Sequence, residues 1–259
     1  MTLYQVDAFN NKIFKGNPAA VVPLEKWISE DLMQKIAEEN NLSETVFFVK
    51  NNLIYEIRWF TPTCEIDLCG HATLAAAHII FSELKYKNEK LIFHSKSGEL
   101  TVTKNNNWYI LNFPSEKIEE IEIPANLEKA LNTSVIKTFK GKWKLVVILD
   151  SEEIVKNLTP NFNLLSTLDF NGIIVTSHGN SADFVSRFFA PKIGINEDPV
   201  TGSAHTLLIP YWSKKLNKKN LNAVQLSKRE GILNCTYLND RVEMSGQAVT
   251  YLKGTLTLI

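Results

Sequence analysis

Apolar residues along this chain follow two periods, which predict many short strands and two helices of unusual composition. Residues 72–84 carry small and aliphatic side chains on nearly every helical face. A helix of that kind belongs in the interior of a domain. Residues 203–216 predict a second long helix, which Pro210 is expected to kink.

Alternation of apolar and polar residues predicts strands throughout the chain. They are residues 5–9, 19–22, 42–49, 54–60, 91–94, 99–103 and 108–113, then 144–149, 172–176, 182–189, 224–227, 232–237, 241–244 and 248–252. Further helices are predicted from Ser29, as N-cap, to Asn40, and near residues 126–131, 152–158 and 163–168. Short strands around one apolar helix in each half predict an α+β fold rather than a regular βαβ alternation. Neither the GxGxxG nor the P-loop motif occurs.

One short motif occurs twice. In each copy a strand with an arginine ends in proline, an acidic loop follows, and a glycine with a polar residue after it opens an apolar helix. Arg58 lies 12 residues before Gly70, and Arg187 lies 15 residues before Gly202. Two copies predict two pseudo-symmetric halves, whereas a solenoid needs three or more. If the halves face each other, both helix starts converge on a single cleft.

The junction between the halves is predicted from composition. Residues 114–124 are polar, charged and bounded by prolines, as linkers between domains often are. The sequence therefore predicts an N-terminal domain over residues 1–114 and a C-terminal domain over residues 115–250.

Composition argues against several classes of partner. The 28 basic residues balance the 28 acidic ones, so no net field attracts nucleic acid or an anionic membrane. No apolar run approaches the length of a membrane span, and the N-terminus lacks the pattern of a secretory signal. Three cysteines form no even disulfide framework, which favours a reducing, cytoplasmic location. Cys64, Cys69 and His71 match no zinc-ligand spacing, so no metal site is expected.

Four polar residues are candidates for acid–base or binding chemistry. They are Glu44, His71, Asp198 and Ser203. Glu44 stands at the entrance of an apolar strand, where partial desolvation would favour its use in proton transfer. The alternative is a solvent-facing turn glutamate, and the sequence alone favours that alternative.

The two turn glycines, Gly70 and Gly202, are directly followed by His71 and Ser203. Free N–H groups and the positive dipole end at a helix N-terminus favour a carboxylate or a developing oxyanion. Glycine lets the backbone approach a ligand closely. The same dipole favours the neutral form of His71. Taken singly, His71 could be a capping histidine and Ser203 an ordinary N-cap, and only the repeat favours a functional interpretation.

These motifs, in this order, span essentially the whole chain and resemble those of the PhzF-like family of phenazine biosynthesis. They are Gly16-Asn17-Pro18, Asn41-Leu42-Ser43-Glu44, Phe60-Thr61-Pro62, Gly70-His71-Ala72 and Glu197-Asp198-Pro199-Val200-Thr201-Gly202-Ser203-Ala204. The last block is the most specific, and its coincidence with Ser-Glu and Gly-His argues against a chance match.

The resemblance implies a diaminopimelate-epimerase-like fold, in which two similar domains are each a β-barrel around a central helix and the active site lies between them. It implies that the final strand, at about residues 251–259, returns to the N-terminal domain. It also implies a homodimer and an isomerase of a small carboxylic acid that needs neither metal nor cofactor.

The resemblance also implies a role for each matching residue. Glu44 is the expected general acid/base, while His71, Asp198 and Ser203 are expected to position the substrate and assist protonation. The predicted substrate-binding residues are Asn17, Gly70, Thr201 and Gly202.

Two positions depart from related patterns. Cys69 stands where epimerase relatives carry a first catalytic cysteine, but the equivalent residue of the second repeat is Thr201, so half of a two-thiol mechanism is missing. Cys69 is either a small buried residue or a single reactive thiolate, because helix N-termini lower thiol pKa values. Residues 227–230 lack a Gly-Arg-Pro motif, which affects the substrate rather than the fold.

Three hypotheses follow from the sequence. The first is a cofactor-independent isomerase that uses Glu44. The second is a carboxylate-binding or interaction protein without turnover. The third is a racemase or epimerase that uses Cys69 with Glu44.

Overall fold

The computed structural model describes residues 1–257, so Leu258 and Ile259 of the predicted final strand lie outside the described residues. The helices are α1 (Glu30–Asn40), α2 (Gly70–Ser82), α3 (Leu127–Leu131), α4 (Glu152–Asn157), α5 (Phe162–Ser166) and α6 (Gly202–Leu216), with a 3₁₀ turn at Pro191–Ile193. Among the described residues, no helix is both long and apolar enough to cross a bilayer.

The strands are short and numerous, as the alternating pattern predicts. Those before residue 122 are β1 (Thr2–Ala8), β2 (Asn17–Leu24), β3 (Glu44–Asn51), β4 (Ile54–Phe60), β5 (Glu65–Ile66), β6 (Lys90–Ser95), β7 (Gly98–Asn105), β8 (Trp108–Pro114) and β9 (Glu119–Ile121). The others are β10 (Lys137–Lys140), β11 (Lys144–Ile148), β12 (Gly172–His178), β13 (Phe184–Ala190), β14 (Ile195–Asp198), β15 (Asn220–Gln225), β16 (Gly231–Tyr237), β17 (Arg241–Gly246) and β18 (Ala248–Thr255).

The chain forms two compact units. The first contains Met1–Asn112 together with the chain from Ser245 onward, and the second contains Phe113–Met244. Each unit has its own buried helix, α2 in the first and α6 in the second.

Strands of the first unit pair in the order β18, β1, β2, β3, β4, β6, β7, β8. Two of these pairs are parallel: β2 with β3, which α1 connects, and β4 with β6, which α2 connects. The other pairs are antiparallel. β18 extends along the whole of β1, from Thr2 opposite Thr255 to Ala8 opposite Ala248.

Helix α2 is enclosed by this sheet. Ten of its thirteen residues are buried, as a helix that is apolar on every face requires. The ring of His78 contacts both ends of the row of strands, with Nδ1 3.0 Å from the Tyr109 hydroxyl of β8 and Nε2 3.0 Å from Thr250 Oγ1 of β18. The sheet therefore curls around α2.

The second unit repeats this connectivity. β9, β10 and β11 are antiparallel neighbours, and β11 is parallel to β12 after the α4–α5 connection. β13 is antiparallel to β12 and parallel to β15, which follows α6, and β16 is antiparallel to β15. The antiparallel–parallel alternation of the first unit thus recurs, with α6 in the place of α2.

Helix α6 continues through Pro210, which has no N–H to donate to the carbonyl of Thr206. That carbonyl accepts instead from the backbone N–H of Glu116 at 3.0 Å. On the opposite side of the helix, Trp212 Nε1 donates to Thr176 Oγ1 of β12 at 3.0 Å. α6 is therefore bonded to the strands and loops around it as well as packed against them.

Several local predictions can be compared with the structure directly. The N-cap at Ser29 is confirmed, since its Oγ accepts from the Leu32 N–H at 3.3 Å. The pattern missed β5, β10 and β14, which are four residues or shorter. Residues 114–124, predicted as a junction, contain β9, which is antiparallel to β10.

Candidate active site

Glu44 is the first residue of β3, where the chain leaves the turn after α1 and enters the sheet. Only 12% of its side chain is exposed, so the alternative of a solvent-facing turn glutamate is wrong. Its Oε2 atom lies 2.9 Å from Nε2 of His71. Neither atom has another hydrogen-bond partner among residues 1–257.

His71 is the second residue of α2. The N-cap is Cys69, in an extended conformation with φ −141°, and the Thr73 N–H donates to the Cys69 carbonyl at 3.1 Å to begin the helix. This backbone path directs the His71 ring into the unit, where 6% of it is exposed. Gly70 is the first helical residue, as the motif predicts.

Asn17 begins β2 and is completely buried. Gly16 before it has φ +69°, and a Cβ at that position would collide with the Ala8 carbonyl, so the turn into β2 requires glycine. The Asn17 amide lies with Nδ2 3.2 Å from Nδ1 of His71. Asn17, Glu44, Cys69 and His71 together are called the first-turn cluster below.

The contacts of the ring nitrogens decide which of them carries the proton. Nε2–H faces the Glu44 carboxylate in either protonation state of the ring. In a neutral ring Nδ1 accepts from Asn17 Nδ2, and in the protonated ring Nδ1–H donates to the Asn17 amide oxygen.

The neighbours of His71 also set its affinity for protons. Burial alone would lower the pKa of the ring, but the Glu44 carboxylate, 2.9 Å from Nε2, raises that pKa well above its ordinary value. The expectation that the helix dipole keeps His71 neutral is therefore wrong, because a carboxylate at 2.9 Å outweighs the dipole.

Cys69 lies next to the same ring, with Sγ 3.5 Å from Nδ1 of His71. Burial and the nearby Glu44 carboxylate raise the pKa of the Cys69 thiol. The position at a helix N-terminus, which favours a thiolate, is outweighed by loss of solvent. At neutral pH Cys69 is thus a protonated thiol.

The second turn is held by hydrogen bonds between a hydroxyl, an amide, backbone groups and one carboxylate. Thr201 is the N-cap of α6, and its hydroxyl donates to Asp198 Oδ2 at 2.5 Å. Gln225, at the end of β15, accepts from the Thr201 N–H at 2.8 Å and donates to the Asp198 carbonyl at 2.8 Å. Gln225 is completely buried. It fixes the turn from both sides.

Sequence reasoning missed the role of Gln225 because nothing in the alternating pattern of the strand distinguishes it. Gly202 opens α6 as predicted, and Ser203 follows as an exposed residue in its first turn. Ser203 is therefore not the N-cap of α6, which is Thr201. The structure brings Asp198 and Thr201 together directly.

An arginine–glutamate pair lies beside each turn. Arg58 donates from Nε and Nη2 to the two carboxylate oxygens of Glu65, both at 2.7 Å. Arg187 does the same to Glu197, at 2.7 and 3.0 Å. Each glutamate precedes its turn glycine by five residues. The repeat thus includes a bidentate ion pair that fixes the entry to each turn.

The first-turn cluster also combines side chains that can ligate a metal. Glu44, Cys69 and His71 each offer one ligand atom, and these atoms lie within 4.8 Å of one another. The expectation of no metal site considered only residues close in sequence, whereas Glu44 comes from a different strand. No other such group of three occurs in the part of the chain that the structure describes.

Solved structures share this fold over the whole chain. A PhzF-family phenazine biosynthesis protein from Enterococcus faecalis superposes with a TM-score of 0.97 at 51% sequence identity, covering 99% of both chains. A probable proline racemase from Agrobacterium radiobacter has only the fold in common, with a TM-score of 0.64 at 10% identity over 100% of this chain and 93% of its own. The predicted α+β, diaminopimelate-epimerase-like fold class is confirmed.

Sequence relatives point to the same group of proteins. An uncharacterised isomerase of Pseudomonas aeruginosa is 46% identical over 258 residues, which is 100% of this chain and 99% of that protein. Residues 6–254 match the family described as phenazine biosynthesis-like protein. A match over that length, together with the motifs around Glu44, His71 and Asp198, identifies the chain as a member of the phenazine biosynthesis-like, or PhzF, family.

Proposed function

We propose that this protein is an isomerase that moves a proton between two positions of a small carboxylic-acid substrate, with Glu44 as the general acid/base and without a metal or cofactor. Full-length relatives that are named isomerases support the reaction class. The assignment of Glu44 and the choice of substrate class go further and rest on the geometry of the first-turn cluster.

One observation carries the proposal. A carboxylate that is largely removed from solvent lies 2.9 Å from a buried histidine at a helix N-terminus. A general base must reach the proton that it abstracts and must then return it, and a water-poor site keeps that proton from exchanging away. Glu44 is the only carboxylate of the first-turn cluster, so it is the natural shuttle.

Each residue of the cluster has a separate task in this proposal. Glu44 removes a proton from a carbon acidified by a neighbouring carboxylate or conjugated system, and returns it at another carbon. His71 donates from Nε2 to the Glu44 carboxylate in the resting protein and supplies a donor to the substrate when that carboxylate turns away. Asn17 orients the His71 ring through Nδ1.

The helix starts supply binding rather than proton transfer. Free N–H groups at Gly70 and Gly202 and the positive dipole ends favour the carboxylate of the substrate and the enolate-like charge that develops on it. Asp198 and Ser203 are proposed to position the substrate at the second turn. That one substrate engages both turns is part of the proposal.

Proton exchange is the direct test. The protein is incubated in D₂O with pooled small carboxylic acids, and deuterium uptake is followed by mass spectrometry. We expect uptake into one class of substrate, reduced by about 10²–10⁴-fold in Glu44→Gln, which is the usual contribution of a positioned general base.

Glu39→Gln is the matched control, because Glu39 is an exposed glutamate of α1 five residues before Glu44. It should exchange as the wild type does. If Glu44→Gln incorporated deuterium into the pooled acids as fast as the wild type does, the assignment of Glu44 as the general base would be wrong.

A racemase or epimerase that uses Cys69 with Glu44 is the second candidate, favoured by the contact of 3.5 Å between Cys69 Sγ and His71 Nδ1. Because its raised pKa keeps it protonated, the thiol would serve as the acid and Glu44 as the base. Deuterium at a stereocentre with inversion, abolished by Cys69→Ser, would distinguish this reaction from an isomerisation. If no substrate exchanges while carboxylic acids still raise the melting temperature, the protein only binds them.

A further inference from the structure

We propose that Glu44, Cys69 and His71 form a binding site for a soft divalent cation, with Zn²⁺ as the expected ion, and that the bound ion reversibly blocks the first-turn cluster. The binding claim stands on its own, and the claim of inhibition rests on the proposed function. The ion is an inhibitor here and has no part in the reaction.

The ligand set is the first argument. A thiolate, an imidazole and a carboxylate are the three side-chain groups that bind Zn²⁺ in proteins, and three protein ligands with an open fourth position are typical of accessible zinc sites. Glu44 comes from the start of β3, and Cys69 and His71 come from the start of α2. Two rigid elements therefore hold the ligands.

The distances are the second argument. Around a tetrahedral Zn²⁺ neighbouring ligand atoms lie about 3.3–3.6 Å apart, as follows from bond lengths of about 2.0–2.3 Å. Glu44 Oε2 and His71 Nε2 are now 2.9 Å apart, and the three ligand atoms lie within 4.8 Å of one another. Adjustments of roughly 1 Å by side-chain rotation bring them to the required spacing.

Free ligand atoms are the third argument. Glu44 Oε2 and His71 Nε2 have no hydrogen-bond partner apart from each other in the described chain, so the ion displaces their mutual contact and the contact of 3.5 Å between Cys69 Sγ and His71 Nδ1. Asn17 lies against Nδ1 on the other side of the ring. With its amide oxygen turned to that nitrogen, Asn17 accepts Nδ1–H and leaves Nε2 for the ion. A hydrogen bond on the far ring nitrogen fixes the orientation of a ligating histidine in this way.

Charge balance supports a dication. When the ion binds, the Cys69 thiol releases its proton to solvent, and the resulting thiolate and the Glu44 carboxylate carry two negative charges. With neutral His71 the occupied site has no net charge, which suits buried surroundings better than an unpaired charge does. A bound ion also occupies the carboxylate lone pairs that a general base needs.

The first test uses Co²⁺ and the full chain after treatment with a chelator and dialysis. A thiolate–Co²⁺ bond gives an intense near-ultraviolet charge-transfer band, whereas oxygen and nitrogen ligands alone do not. Wild-type protein and Cys64→Ser should show this band with one Co²⁺ per chain, and Cys69→Ser should lose it. Cys64 is the matched control because its thiol is exposed and lies outside the cluster.

The second test measures Zn²⁺ affinity by competition with a chromophoric chelator. Glu44→Gln should bind at least about tenfold more weakly than wild type, and Glu39→Gln should bind as wild type does. These variants keep the proposal testable if Cys69→Ser fails to fold. Zn²⁺ should also stop proton exchange in the wild type, and a chelator should restore it.

The outcomes separate this proposal from the isomerase proposal. Absence of the Co²⁺ band in the wild type, or its loss in Cys64→Ser with retention in Cys69→Ser, overturns the metal site and leaves proton exchange untouched. Exchange that continues in saturating Zn²⁺ overturns the inhibition. Binding of Co²⁺ without any proton exchange overturns the isomerase and leaves the metal site intact.

Discussion

The two turns have the same backbone plan, and the side chains on that plan differ in kind. An arginine–glutamate pair and a glycine-led buried helix occur at both, with Arg58, Glu65 and Gly70 in one unit and Arg187, Glu197 and Gly202 in the other. The first turn carries a titratable cluster of carboxylate, imidazole and thiol. The second carries hydroxyl, amide and backbone groups around a single carboxylate.

This difference shows how one repeat can supply two functions. The pair and the glycine fix the backbone, and they set no particular chemistry at the positions beside them. The position of Cys69 in the first turn is occupied by Thr201 in the second. A thiol beside a histidine is therefore replaced by a hydroxyl that donates to Asp198. Under the proposed function, proton transfer belongs to the first turn and substrate positioning to the second, and the predictions below can break that division.

The largest effect is expected at the base itself. Glu44→Gln should lower the rate of proton exchange by about 10²–10⁴-fold, because the amide cannot accept the proton. Thr201→Val in the second turn removes a hydroxyl that positions Asp198, so it should raise KM and change kcat much less. Steady-state rates on the exchanging substrate check both, and a kcat loss in Thr201→Val as large as in Glu44→Gln would end the division of roles.

The next largest effect concerns the two arginines. Arg187→Ala should lower the free energy of unfolding by about 3–5 kcal/mol, because it leaves Glu197 unpaired and removes the donor to three carbonyls of α4 and the residue after it. Arg58→Ala should lower it by about 1–2 kcal/mol, because the Arg58 side chain is more exposed than that of Arg187 (21% against 11%) and Lys96 remains beside Glu65.

Urea unfolding of both arginine variants at one pH measures this difference. Equal losses in the two variants would show that the two pairs are energetically equivalent, although the Arg187 side chain is the more buried of the two arginines.

A third effect appears on acidification. Burial lowers the pKa of His78 in α2 and of His205 in α6 to about 4, from 6.5. Because the folded-state pKa is the lower one, the unfolded chain takes up protons first as the pH falls. The contribution of each histidine to the free energy of unfolding is therefore complete above about pH 6.5. It is lost as the pH falls toward 4, by up to about 3 kcal/mol for each histidine.

Chemical unfolding between pH 7 and pH 4 tests this sign and size. His78→Gln and His205→Gln should each flatten the decline, whatever they do to stability at pH 7. His94→Gln serves as control because its side chain is half-exposed. A decline as steep in both buried-histidine variants as in wild type would assign the acid sensitivity to other groups.

The smallest effects are expected from the two amides that orient the turns. Asn17→Ala removes the contact with His71 Nδ1 and should lower kcat by about five- to tenfold, which corresponds to about 1 kcal/mol. Gln225→Ala leaves the Thr201 N–H without its acceptor and should act mainly on KM. Kinetic constants for the two variants sharpen the comparison, and a KM effect in Asn17→Ala would reassign that residue to substrate binding.

Much of the fold could be predicted because it depends on local patterns. Residues 72–84, which are apolar on nearly every helical face, predicted the buried helix α2. The alternation of residues 54–60 predicted β4. β10 and β14 escaped prediction because four residues are too few for a period to be visible. Each pairs with a strand that is adjacent in sequence, β10 with β11 and β14 with β13.

The candidate residues of the site come from sequence motifs, whereas their electrostatics depends on contacts that only the fold creates. Motifs identified Glu44 and His71, but the pKa of His71 depends on a carboxylate 27 residues away that the fold brings to 2.9 Å. The same holds for Cys69, for which the sequence left a small buried residue and a reactive thiolate as alternatives, and whose burial keeps the thiol protonated. Gln225 illustrates the remaining difficulty, because an amide that bonds a distant turn leaves no trace in a strand pattern.

The pairing of β18 with β1 has a consequence for synthesis of the chain. A ribosome releases β1 through β8 first, then all of the second unit, and only afterwards the strand that Thr2–Ala8 requires as neighbour. Until β18 emerges, β1 has an open edge and His78 lacks its partner Thr250. The unit that starts first is therefore finished last, and its nascent form is the stage at which we expect chaperones to be needed most.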